Sequence, residues 1–139
     1  SLSADGNTAI VGGSIDNNDA GAAWVWTRSG GVWTQQGAKL VGSGIVWKAQ
    51  QGRSVSLSAD GNTALVGGAG DNADAGAAWV WTRSGDIWTQ QGAKLVGTGA
   101  AGNAGQGQSV SLSADGNTAL VGGGGDNANA GAVWVFTMP

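Results

Sequence analysis

The residues here that could do chemistry are tryptophans and aspartates. Trp24 and Trp26 stand two apart, as do Trp79 and Trp81, and Trp134 repeats the spacing with Phe136. On an extended strand that spacing puts both rings on one face. An indole face can stack on the C–H face of a sugar ring while Asp and Asn side chains bind its hydroxyls. The same rings carry large apolar area and serve equally to fill the space between packed sheets. Five of the 9 carboxylates lie in three loops: Asp16-Asn17-Asn18-Asp19, Asp71-Asn72-Ala73-Asp74 and Asp126-Asn127-Ala128-Asn129. Such side chains stabilise turns by bonding local backbone N–H groups. They could also take a sugar hydroxyl or, weakly, calcium. The third loop keeps only one Asp, Asp126, which argues against a strict metal requirement.

Absent residue types narrow the chemistry further. The chain has no His, no Cys and no Tyr, and every one of its 9 acidic residues is Asp. That removes the imidazole base, the thiolate nucleophile and the glutamate acid, so no enzyme is expected. It also removes a disulfide framework and the common zinc ligands, and neither a metal centre nor a cofactor is expected. Net charge is −3, and the 6 Lys and Arg form no basic stripe, so nucleic acid is not an expected partner. No apolar run reaches membrane-spanning length, so no membrane insertion is expected. The opening Ser1-Leu2-Ser3 carries no signal-peptide pattern.

The elements that must position these groups come from repetition. Residues 1–9 recur unchanged at 56–64 and 111–119, a period of 55. The chain reads as one region, 1–139, made of repeats 1–55, 56–110 and a partial 111–139. Around the second repeat, 54–58 alternates polar and apolar residues as a half-buried strand does. Asp60-Gly61-Asn62 is a tight hairpin turn, and 63–66 is the second strand, stopped by Gly67-Gly68. A loop over 69–76 leads to a β-branched and aromatic third strand, 77–82. A fourth strand follows at 87–91, and a Gly-rich connection runs over 93–107. No segment has the period or length of a helix. Each repeat is therefore expected to be a four-stranded antiparallel meander, the form of a β-propeller blade. A β-solenoid is the alternative fold.

Repeats one and two supply four strands each and the third supplies three, so the chain holds about 2.5–2.75 blades. Propellers close with more blades than that. The apolar faces left over point to a homo-oligomer, with a dimer favoured, that completes the ring. The largest break in the repetition is Ile45-Val46-Trp47-Lys48, where the next repeat has Ala100-Ala101-Gly102-Asn103. Arg53 likewise stands where Gln108 stands later. This segment is either drift or a unique apolar and basic contact surface.

The third copy shows a family likeness. Gln106-Gly107-Gln108-Ser109-Val110-Ser111-Leu112 leads to Asp115-Gly116, Ala119-Leu120-Val121-Gly122-Gly123 and Gly131-Ala132-Val133-Trp134-Val135-Phe136. This order resembles the FG-GAP repeat of integrin-alpha-like β-propellers, particularly the bacterial secreted type. The resemblance implies a propeller, an extracellular or cell-surface location, and adhesive or ligand-binding roles. The family's Phe-Gly reads Gln51-Gly52 and Gln106-Gly107 here, and its Gly-Ala-Pro reads Gly12-Gly13-Ser14, Gly67-Gly68-Ala69 and Gly122-Gly123-Gly124. Its long calcium loop has shrunk to Asp5-Gly6-Asn7 and its copies, too few oxygens for calcium, so that site is not carried over.

Two functions follow as expectations. The first is a non-catalytic extracellular interaction or structural module, adhesive in character, with surface proteins as partners. The second is a multivalent lectin binding glycans through Trp24, Trp26, Trp47, Trp79, Trp81 and Trp134 with Asp16, Asp19, Asp71, Asp74 and Asp126.

Overall fold

Each repeat begins with a turn whose residues explain the recurring Ser-Ala-Asp-Gly-Asn-Thr. The Ser58 hydroxyl donates to the Asp60 carboxylate (2.5 Å) and accepts the Thr63 N–H (2.9 Å). Asp60 also accepts the Asn62 N–H at 2.9 Å. The same bonds form around Ser3 and Asp5 and around Ser113 and Asp115. These contacts satisfy the turn's backbone donors and reverse the chain into antiparallel pairing.

A computed structural model describes residues 1–138. It contains three antiparallel sheets. The first holds β1 (Thr8–Gly13), β2 (Ala22–Ser29) and β3 (Val32–Gln35). The second holds β4 (Ser54–Leu57), β5 (Thr63–Gly68), β6 (Ala77–Ser84) and β7 (Ile87–Gln90), hydrogen-bonded in chain order. The third holds β8 (Ser109–Leu112), β9 (Thr118–Gly123) and β10 (Ala132–Thr137). The second repeat is thus the four-stranded meander that its pattern predicts.

Three details differ from the expectation. The first repeat has three strands rather than four, and residues 1–3 pair with β1 outside any strand: Leu2 bridges Ala9, Ser1 exchanges two hydrogen bonds with Ile10 (3.0 and 3.1 Å), and the Ser3 N–H donates to the Thr8 carbonyl (2.9 Å). Ser1 aligns with Ser56, the third residue of β4 in the second sheet. The outer strand also does not end at Gln90. After a short bulge, Leu95 exchanges two backbone hydrogen bonds with Ala78, as Leu40 does with Ala23. Lastly, the polar loops each contain one helical turn, Asp16–Asp19, Asp71–Asp74 and Asp126–Asn129. Its hand explains why no helix period announces it. Asn17, Asn18 and Asp19 have φ of 49°, 56° and 67°, and the later loops repeat this. Asn and Asp tolerate that region, whereas Ala73 and Ala128 occupy it against their steric preference.

Register aligns Val66 with Trp79 and Ala64 with Trp81. Period two then separates a front face (Ala64, Val66, Trp79, Trp81) from a back face (Leu65, Ala78, Val80). The back face of the first sheet, Ile10, Ala23 and Val25, packs with Leu40 and Ala49 on the front of the second. The back face of the second packs on Ala119, Val121, Leu112 and Phe136 of the third. The core therefore lies between sheets. First strands of successive sheets are neighbours, β4 beside β8.

Candidate functional site

All three left-handed turns lie at one end of the sheets, in the β1–β2, β5–β6 and β9–β10 connections. The second half of each inter-repeat connection crosses the turn that follows it. Asp71 shows how. It is 1% exposed, and its carboxylate accepts the Val46 N–H at 2.8 Å and pairs with the Lys94 ammonium. The Asn72 N–H donates back to the Val46 carbonyl at 2.9 Å. Asp126 accepts the Ala101 N–H at 2.7 Å in the same way. Asp16 pairs with Lys39, Asp19 with Lys48 at 3.0 Å. These carboxylates tie loops together, so the recurring lysines are partners rather than free surface charges. Asp74 differs, lining an open polar cavity of about 420 Å³ with Gln50, Arg53, Asn103, Gln108 and Asn129. That cavity brings together Arg53, one of the departures from the repeat, with Asp74 and Asn129 of two polar loops.

Gln51 and Gln106 carry a role that sequence reading missed. Both are buried. The Gln51 side chain accepts the Gly42 N–H (2.6 Å) and donates to the Gly42 carbonyl (3.0 Å). Gln106 does the same to Gly97. This amide pair pins the connection flat against the next sheet. The signal was available in the departure from Phe-Gly, since a polar residue recurring at an apolar position needs a partner.

The tryptophans divide sharply. Trp79 has no exposed surface and donates its indole N–H to the Ser43 carbonyl at 2.8 Å. Gly42 is required there, because a Cβ would stand 2.2 Å from the Trp79 ring. Trp81 is buried beside it, and its indole N–H meets no acceptor among the described residues. Trp134 is half-buried and bonds the Thr98 carbonyl at 2.9 Å, and Trp24 and Trp26 are half-buried on the front of the first sheet. Trp33 and Trp88, on outer strands, lie under Arg28 and Arg83 at 5.5 and 5.4 Å. Neither Trp79 nor Trp81 presents a face to solvent for stacking.

Trp47 is the opposite case at 81% exposed. Its φ is 64°, a left-handed conformation that a bulky aromatic residue rarely adopts. The equivalent residue, Gly102, has φ 70°. Both loops demand that conformation because the preceding residue, Val46 or Ala101, is fixed on the turn below. Val46 is 48% and Ile45 37% exposed, so an apolar patch surrounds the indole. Lys48, paired with Asp19, borders it. The break in the repetition thus forms a fixed, outward-facing aromatic surface.

The hairpin end is electrostatically separate. Hydrogen bonds from the Ser58 hydroxyl first, then the Asn62 N–H, hold Asp60 below its ordinary value. The Ser3 and Ser113 hydroxyls act likewise on Asp5 and Asp115.

The chain matches no protein-family model and no curated protein. Among the described residues no helix is long and apolar enough to cross a membrane.

Proposed function

We propose that this chain is a non-catalytic interaction module of the extracellular β-propeller type, and that it engages its partner through the aromatic patch around Trp47. The observation that carries the binding role is Trp47 itself. A conformation that favours glycine is filled by an 81% exposed indole, where the neighbouring repeat uses Gly102. Non-glycine residues held in sparsely populated backbone regions concentrate at functional sites. Exposed Trp beside apolar neighbours is the common anchor of binding surfaces. The propeller reading is supported by the 55-residue period, the four-stranded meander and the neighbouring first strands. The resemblance to FG-GAP repeats supports the extracellular, adhesive setting.

A glycan-binding role is the second reading, favoured by the polar cavity in which Gln50 and Arg53 of this same connection face Asn103 and Asn129. The test presents the wild-type chain and Trp47→Gly to a glycan array and to a panel of extracellular matrix proteins. Retention of the wild type on at least one surface, weakened tenfold or more in the variant, is expected. Retention confined to glycans selects the lectin reading. Equal behaviour of both proteins on every surface overturns the role given to Trp47.

A further inference from the structure

Two sheet faces of the chain are bare, and they are the two halves of a junction that the chain already builds twice. The back faces of the first and second sheets are closed: Leu65 is 0% and Val80 3% exposed. Their counterparts on the third sheet, Leu120 and Val135, are 43% and 65% exposed. Val133 adds apolar bulk to that face, standing where Ala23 and Ala78 stand in the earlier repeats. At the other end, the front of the first sheet offers Leu2 (60%), Val11 (54%), Trp24 and Trp26. In the second sheet the matching residues, Leu57, Val66, Trp79 and Trp81, are all buried.

Polar groups continue the series. The Leu57 N–H donates to the Ser1 hydroxyl across the first junction, and the Leu112 N–H to the Ser56 hydroxyl across the second, each at 3.1 Å. The Ala4 N–H donates to the Ala59 carbonyl (2.8 Å) and the Ala59 N–H to the Ala114 carbonyl (2.9 Å). One step further, the Ser111 hydroxyl and the Ala114 N–H have no partner among the described residues. The groups that would answer them are the Leu2 N–H and the Ala4 carbonyl.

We propose that the third sheet of one copy docks on the first sheet of a second copy, head to tail, repeating the internal junction. The Leu2 N–H of the second copy then reaches the Ser111 hydroxyl, and the Ala114 N–H reaches its Ala4 carbonyl. Such a contact is heterologous: every copy offers one donor face and one acceptor face, so two copies close into a ring or many form an open array. Only the observed sheet stacking is needed for the pairing, while ring closure also rests on the propeller reading.

The test measures mass by analytical ultracentrifugation from about 1 µM to 1 mM for the wild type, Val11→Asp, Val135→Asp and an equimolar mixture of the two variants. Both substitutions sit on exposed positions of the single chain, so circular dichroism and melting temperature report intact folding. The wild type is expected to be a dimer, each variant a monomer with association weakened at least 100-fold, and the mixture a one-to-one pair. The mixture recovers because each variant keeps the face the other lacks. A wild type that is monomeric throughout overturns the pairing, as does a dimer whose variants fail to complement. A concentration-dependent ladder beyond the dimer supports the pairing and overturns ring closure.

Discussion

The two inter-repeat connections do the same structural work with different residues. Each lays its backbone across the next left-handed turn, each is held by a buried Asp, and each is clamped by a buried Gln on a Gly. The second connection meets the conformational demand after its anchor with Gly102, the residue that strains least there. The first meets it with Trp47 and surrounds it with Ile45, Val46 and Lys48. Of two residues meeting the same backbone demand, the one at greater strain is the one proposed above to serve a partner. The junctions beneath differ too. The first closes over Trp79 with no exposed surface, whereas Trp134 stays half-buried.

The largest test of that difference removes the two rings in turn. Trp79→Ala should destabilise the chain by about 3–5 kcal/mol, through lost apolar burial, the cavity left behind and an orphaned Ser43 carbonyl. Trp134→Ala should cost about 1–2 kcal/mol, because its ring is already partly in water. Urea unfolding of the two variants checks this, and equal losses would break the contrast between the junctions.

The buried acids give the next effect. Asp71→Ala leaves the Val46 N–H and the Lys94 ammonium without their acceptor, and should cost about 3 kcal/mol. Asp126 serves the Ala101 N–H and no lysine, so Asp126→Ala should cost about 1–2 kcal/mol. If Asp126→Ala proves the worse of the two, Lys94 adds nothing to the first anchor.

Much of this was legible in the sequence, and what was not has a common cause. The strands, the Asp-Gly-Asn reversals, the shared face of each Trp pair and the break at 45–48 follow from local pattern. Period two and turn chemistry are properties of adjacent residues. The acids and glutamines were opaque because their partners lie far along the chain: Asp71 bonds a residue 25 positions earlier, Gln51 one 9 positions earlier. The left-handed turns were hidden differently. Asn-Ala-Asp reads as an ordinary loop, and nothing about Ala73 signals φ of 55°. Only the surrounding bonds, such as the Gly76 N–H to the Asp71 carbonyl at 2.9 Å, impose it.

A smaller effect addresses the connections directly. Trp47→Gly should raise stability by about 0.5–1 kcal/mol, since relief of the left-handed strain outweighs the entropy glycine adds to the unfolded chain. Gly102→Ala should lower it by about 1 kcal/mol for the converse reason. Thermal melting of the pair reads both signs. A Trp47→Gly variant that is less stable than the wild type would mean the indole is retained for the fold, which removes the basis for assigning it to a partner.

The smallest effect reads the hairpin acids by pH. Asp60 is held below the ordinary 3.8 mainly by the Ser58 hydroxyl, so the folded state favours its charged form. A depressed folded pKa gives stability that is fully present above the unfolded value and fades as pH falls through the folded one. The melting temperature should therefore be flat from pH 7 to about 5 and decline below about 4. Asp60→Asn should shrink that decline, as should Ser58→Ala, which removes the donor and leaves the carboxylate. The exposed setting keeps the effect small through solvent screening. A decline of unchanged size in both variants would assign the acid sensitivity to carboxylates other than Asp60, with Asp5 and Asp115 of the sister turns as the next place to look.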